Sequence, residues 1–157
     1  MKPKVYIETT IPSYLSARPS RDILIVANQE VTREWWDKCK DKFELVISEF
    51  VLREASAGHP EAARRREAVL EGLIELSVTD DVGELAQILI DNVPMPSKAE
   101  LDAFHIAIAA IHGIDYLLTW NCTHIANAIL RPKIDTICRE FGCEPPIICT
   151  PQELSEA

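Results

Sequence analysis

"SKAELDAFHIAIAAIHGIDYLLTWN" runs from Ser97 to Asn121, and within it a helix pattern gives way to a strand pattern. Ser97 and Glu100 stand in the S-x-x-E spacing of a capping box, in which hydroxyl and carboxylate satisfy N–H groups that a helix start leaves unpaired. From Leu101 to Ile111 the chain is apolar almost all round, as in a helix buried on every side. Gly113 falls just past the last turn, where glycine commonly ends a helix. "DYLLT" then reads as a short strand.

The same alternation extends outward in both directions. Before it come a strand "KVYIE", a long helix "SRDILIVANQEVTREWWDKCKDK" with Leu24, Ala27, Val31 and Trp35 on one stripe, and a strand "FELVIS". Ser48 is a plausible N-cap for the helix "SEFVLREAS", and the next helix, "HPEAARRREAVLEG", has Pro60 near its start and Gly72 at its end. A third strand, "LIELSV", leads to a helix from about Asp80 to Asp91, and "VPMPS" breaks the chain. After "DYLLT" the pattern predicts two more helices, "NCTHIANAIL" and "PKIDTICREFG", and a last strand "PPIIC". Short strands separated by helices imply right-handed crossovers and a mostly parallel sheet covered on both faces.

With 157 residues, of which 47% are hydrophobic, a single domain spanning 1–157 with a sizeable core is expected. No run approaches the ~18 consecutive apolar residues of a membrane span. The start "MKPKVYIE" lacks the apolar core of a signal peptide, so a cytoplasmic protein with no membrane association is expected. The five cysteines are odd in number and form no C-x-x-C pair, which favours reduced structural thiols over zinc or disulfides. A net charge of −9 excludes a broad basic face for nucleic acid. Chemistry on nucleic acid would need a local basic patch, cations bound at a site, or a basic partner.

The acids carry the functional signal. In parallel α/β sheets the ligand site lies beyond the carboxyl ends of the strands. Glu8 ends the first strand and Asn121 follows the fourth, so both belong to that edge. Glu49 suits the helix dipole and can pair with Arg53, and Glu100 is used by the capping box. Glu54 stands on the inward stripe with Phe50 and Val51, either as a site acid or in a buried ion pair. Asp102 lies inside the most apolar helix, where a carboxylate needs a metal, a cation or several donors. His105 is expected as a satisfied core histidine or a support for the site; His59, His112 and His124 read as loop or surface positions. Glu8, Glu54, Asp102 and the Thr119–Asn121 turn thus converge on one edge, and oxygen ligands of this kind suit Mg²⁺ or Mn²⁺ rather than zinc.

"VYIETTIPSYL", "LVISEFVLREA", "AELDAFHIAIAAIHGIDYLLTWN" and "THIANA" together resemble the PIN domain, best known from VapC-like toxin ribonucleases of toxin–antitoxin pairs, over essentially the whole chain. The resemblance implies a three-layer α/β/α fold with a short, mostly parallel central sheet. It also implies an acidic cluster that binds divalent metal and hydrolyses RNA phosphodiesters. By position the metal-binding acids fall on Glu8, Glu54 and Asp102, the fourth position on Asn121, and a polar strand-end residue on Thr119. Two departures stand out: the first acid is Glu rather than Asp, and the fourth is an uncharged Asn. The implied function is a Mg²⁺- or Mn²⁺-dependent ribonuclease, the toxin of a toxin–antitoxin pair. The alternative is a weakened PIN module that binds RNA or a protein partner without cutting. RNA as substrate, an antitoxin partner and a homodimer are the expected associations.

Two further features fall outside that set. Arg64, Arg65 and Arg66 form the densest basic run, but three consecutive helical positions span too wide an arc to face one ligand. They read as a solvated face paired with Glu61, Glu67 or nearby acids. Trp36 points off the core stripe, either as an anchor for a dimer or antitoxin or, as expected, partly buried against its own domain.

Overall fold

The structure is a computed structural model that describes residues 1–96 and 99–155. Five strands form one sheet: β1 (Lys4–Ile7), β2 (Glu44–Ser48), β3 (Ile74–Leu76), β4 (Tyr116–Leu118) and β5 (Ile147–Cys149). Their spatial order is β3-β2-β1-β4-β5, and every neighbouring pair is parallel. Tyr6 in the central strand lies opposite Val46 on one side and Leu117 on the other. Val5, Tyr6 and Ile7 are wholly buried, as a strand flanked on both sides and both faces must be. From β1 the chain builds the sheet one way to β2 and β3, then returns to build β4 and β5 the other way. Strand order therefore reverses at β1 and β4, which opens a crevice at their carboxyl ends.

The helices among the described residues are α1 (Thr10–Ser16), α2 (Ile23–Cys39), α3 (Glu49–Ala55), α4 (Pro60–Leu70), α5 (Asp80–Asn92), α6 (Glu100–Ile111) and α7 (Arg131–Phe141). α1 packs on α2 and α4, α5 packs on α6 and α7, and α3 touches α4 and α6. They complete a three-layer α/β/α architecture with an all-parallel sheet. No helix among the described residues is long and apolar enough to cross a membrane. All five cysteines are free thiols.

Several caps follow the sequence. Ser48 accepts the Phe50 N–H at the start of α3, and Asp22 accepts the Leu24 and Ile25 N–H groups at the start of α2. Gly113 and Gly142 end α6 and α7 at φ +65° and +105°, a region that favours glycine. The Ser97 half of the expected capping box lies outside the described residues.

One helix goes beyond the expectations, and two expectations change. α1 follows Glu8 directly, with Pro12 in its first turn, where a missing N–H costs little. In α2 the buried positions are Gln29, Thr32, Trp35 and Cys39, whereas Leu24 is 73% exposed and Ala27 is also exposed. A 17-residue helix is about 25 Å long, while five-residue strands span only about 17 Å; the first turns of α2 outrun the core. Finally, "NCTHIANAIL" forms successive turns rather than a helix. Asn121 Oδ1 accepts the His124 N–H, and Asn127 Oδ1 accepts those of Ile129 and Leu130. These side chains take the donors that a continuous helix would use.

Candidate metal centre

Glu8 sits at the reversal point itself. Its backbone N–H continues the β1–β4 ladder to Leu118 O, and its side chain is 3% exposed. Oε1 accepts three hydrogen bonds: from the Thr10 N–H at 3.0 Å, the Thr10 hydroxyl at 2.5 Å and the Thr119 hydroxyl at 2.7 Å. Oε2 accepts none among the described residues. Burial pushes the carboxyl above its ordinary range, against the opposing pull of His105, Thr10 and Thr119.

Glu54, near the end of α3, is built in the same way. Its Oε1 accepts from the Thr9 hydroxyl at 2.8 Å and meets His105 Nε2 at 2.5 Å, and Oε2 again has no hydrogen bond among the described residues. Burial raises its carboxyl, but His105 and Thr9 outweigh burial and hold it below the usual carboxylate range. His105 is itself wholly buried, with Nδ1 at 2.6 Å from the Tyr6 hydroxyl, which lies 2.6 Å from Ser48 Oγ. The carboxylate must accept from Nε2–H, so in the neutral ring Nδ1 accepts from Tyr6, and Ser48 then donates to Tyr6. Burial raises the Tyr6 phenol well above its ordinary value, with Glu8 and Glu54 adding to the shift, so Tyr6 remains a donor.

Ligand-type atoms of Glu8, Glu54 and His105 lie within 4.8 Å of one another. Both His105 nitrogens are already engaged, which leaves it the supporting role expected from sequence. Asp102, one turn into α6, stands outside this cluster. Its Oδ2 lies 2.9 Å from His124 Nδ1. Burial raises the Asp102 carboxyl, opposed by His124, by His105 and by a hydrogen bond from the Asn121 side chain.

The structure therefore brings Thr119 to Glu8 and Asn121 to Asp102. Thr119 Oγ1 also accepts the Asn121 N–H at 2.9 Å, tying the two carboxylates' supports together. Asn121 serves both a turn and the Asp102 carboxylate, and its Oδ1 is taken by the His124 N–H at 3.2 Å.

His124 was missed from sequence. The available signal was local: an Asn whose side chain caps the residue three positions on folds that residue back over the strand end. Thr9, Thr10 and Tyr6 carried no signal beyond strand alternation and short polar residues after a strand.

The other candidates resolve simply. Glu49 pairs with Arg53 at 3.0 Å, and Arg65 with Glu61 at 3.3 Å. Arg66 caps the end of α3, donating to Ala55 O at 3.0 Å and to Ala57 O. Trp36 is partly buried, with the Lys40 ammonium 4.9 Å from its ring centre.

No protein-family model matches the sequence, and no curated protein matches it at the sequence level. Solved structures do share its fold. VapC20 of Mycobacterium tuberculosis, described as a sarcin–ricin loop cleaving toxin, superposes with a TM-score of 0.58 at 17% identity, over 79% of this chain and 95% of that one. VapBC2 of Rickettsia felis, bound to a DNA fragment from its promoter, superposes with a TM-score of 0.57 at 16% identity, over 94% of this chain and 98% of that one. The PIN-like fold implied by the sequence resemblance is thus the fold of this chain.

Proposed function

We propose that the chain is a single-domain, divalent-metal-dependent ribonuclease, the toxin of a toxin–antitoxin pair. One observation carries the reading: at the carboxyl edge where strand order reverses, Glu8 and Glu54 each have one oxygen fixed by protein donors and the other without a hydrogen bond among the described residues. Buried carboxylates with open oxygens fit a hard cation such as Mg²⁺ or Mn²⁺. VapC20, which shares the fold, is described as a sarcin–ricin loop cleaving toxin.

Glu8, Glu54 and Asp102 would hold the cation. Thr9, Thr10, Thr119 and His105 orient the first two carboxylates, while His124 and Asn121 orient the third. When bound, the cation supplies a water of lowered pKa and neutralises charge on the phosphate. The antitoxin expectation is supported by the VapBC2 likeness. A homodimer would draw on the exposed Ile23 and Leu24 rather than on the partly buried Trp36.

A second reading, a module that binds without cutting, draws on Asn121, whose oxygen is engaged by His124 N–H. Mg²⁺- or Mn²⁺-dependent cleavage of single-stranded RNA, with chelator as control, separates the two. Asp102→Asn should abolish that cleavage and leave the folded state intact. A folded variant that cuts as well as the parent would remove Asp102 from the site. RNA binding by the parent without any cleavage would favour the second reading.

A further inference from the structure

Trp120 lies between two residues of the site, Thr119 and Asn121, and is held from both ends. Its backbone N–H donates to Thr10 Oγ1 at 2.9 Å, and its indole N–H donates to Thr32 Oγ1 at 2.7 Å. Thr10 is also a donor to Glu8, so the indole is fixed to the same support as that carboxylate. Tyr14, from α1, stacks on Trp120 with ring centres 6.2 Å apart and planes 19° from parallel.

Tyr14 differs from the other aromatic rings of this region. Trp120 packs against the apolar core, whereas Tyr14 packs on Trp120 and is not part of that core. Its hydroxyl has no partner among the described residues. Through Trp120, whose backbone is held by Thr10, the ring is tied to the residue that supports Glu8. A partly exposed ring, stiffened by an anchored indole at the rim of the candidate site, contributes nothing evident to the core.

We propose that Tyr14, backed by Trp120, is the stacking platform for an unpaired base of single-stranded RNA next to the scissile phosphate. The inference deepens the ribonuclease reading and rests on it. It also answers a difficulty in the charge. A chain of net charge −9 with an acidic site repels phosphate, so affinity has to come partly from contacts that carry no charge. Base–aromatic stacking supplies this for any base, since every base has a π-face. Beyond α1, which is about 10 Å long, Arg18 and Arg21 are exposed and form no ion pair among the described residues. They offer the local positive charge that the neighbouring backbone phosphates would meet.

The test uses a short fluorescent single-stranded RNA and the full chain in an Asp102→Asn background, so that the probe is not cut. Tyr14→Ala should weaken binding about tenfold or more, and Tyr14→Phe, which keeps the ring, should stay within about twofold of the parent. The decisive arm places one abasic nucleotide at successive positions of the same RNA. At one position the parent should lose about as much affinity as Tyr14→Ala loses on intact RNA, and the two proteins should become equal there. In the cutting-competent chain, Tyr14→Ala should raise KM and leave kcat nearly unchanged. Equal RNA affinity of Tyr14→Ala and parent would overturn the platform, as it would if the ring served a protein contact. So would a loss that persists undiminished at every abasic position. If Tyr14→Ala fails to fold, Tyr14→Leu, which removes the aromatic ring but keeps apolar bulk, takes its place in the same abasic series with the same expected outcome. A parent that neither binds nor cuts RNA overturns the ribonuclease reading itself, whereas a parent that does both with an inert Tyr14 overturns only this inference.

Discussion

On one flank of the acids, Ser48, Tyr6, His105, Glu54 and Thr9 form an unbroken chain of hydrogen bonds joining β1, β2, α3 and α6. On the other flank, Asp102 rests on His124 and Asn121, within a run of turns that follows β4. On the first flank Ser48, Tyr6 and His105 are buried, while the Glu54 side chain is 29% exposed. On the second flank the His124 imidazole is 20% exposed and the Asp102 side chain 12%, so it is the two imidazoles that differ in depth. Both flanks set an imidazole against a carboxylate, but one imidazole is part of the core and the other belongs to a surface segment. Removing each should therefore damage a different property: stability on the first flank, metal binding on the second.

His105→Ala gives the largest expected effect. It leaves a cavity and strips partners from buried Tyr6 and partly buried Glu54, for about 3 kcal/mol of lost stability, read by urea unfolding. His124→Ala should cost less than about 1 kcal/mol of stability, since its site is open to water. It should instead weaken Mn²⁺ binding by about 10- to 100-fold, measured by calorimetry. Equal stability losses in the two variants would break the contrast between the flanks.

Glu8→Gln sharpens it through pH. Burial raises the Glu8 carboxyl, so in the metal-free chain its ionised form costs folded-state stability. That cost is absent below the ordinary carboxylate range and grows as pH rises through the raised value. At neutral pH the Gln variant should unfold a few degrees higher than the metal-free parent and lose the Tm gain that Mg²⁺ or Mn²⁺ gives the parent. A lower Tm for the metal-free variant would show that the charge is answered within the protein.

Asn121→Asp is the smallest. Asp accepts the His124 N–H as well as Asn does, so the turn survives. The added charge should raise metal affinity a few-fold in calorimetric titration, while a second carboxylate beside Asp102 lowers metal-free stability slightly. No change in affinity would assign Asn121 to the turn alone.

The sheet and most helices were legible because strand and helix periodicities alternate cleanly and Ser48, Pro60, Gly72, Gly113 and Gly142 punctuate them. Glu8, Glu54 and Asp102 were legible as charges in apolar settings. What failed has physical causes. "NCTHIANAIL" carries helix-compatible spacing, but Asn121 and Asn127 spend their side chains on backbone donors. The α2 stripe assumed that the whole helix lies over the sheet, and its first turns do not. His124 had no period to betray it, since its partner is 22 residues earlier on another element.

The bond from Thr119 to Glu8 spans 111 residues of sequence, and that separation has a consequence in time. Loop closure over such a distance is entropically costly, and chains dominated by distant strand pairings fold slowly. During synthesis β1 emerges first and must wait, unpaired on one edge, for β4. Glu8 gains its Thr119 support, and the neighbouring Asp102 its His124 contact, only after most of the chain has left the ribosome. A nascent or truncated chain ending before Thr119 therefore lacks both the Thr119 support of Glu8 and the His124 contact of Asp102.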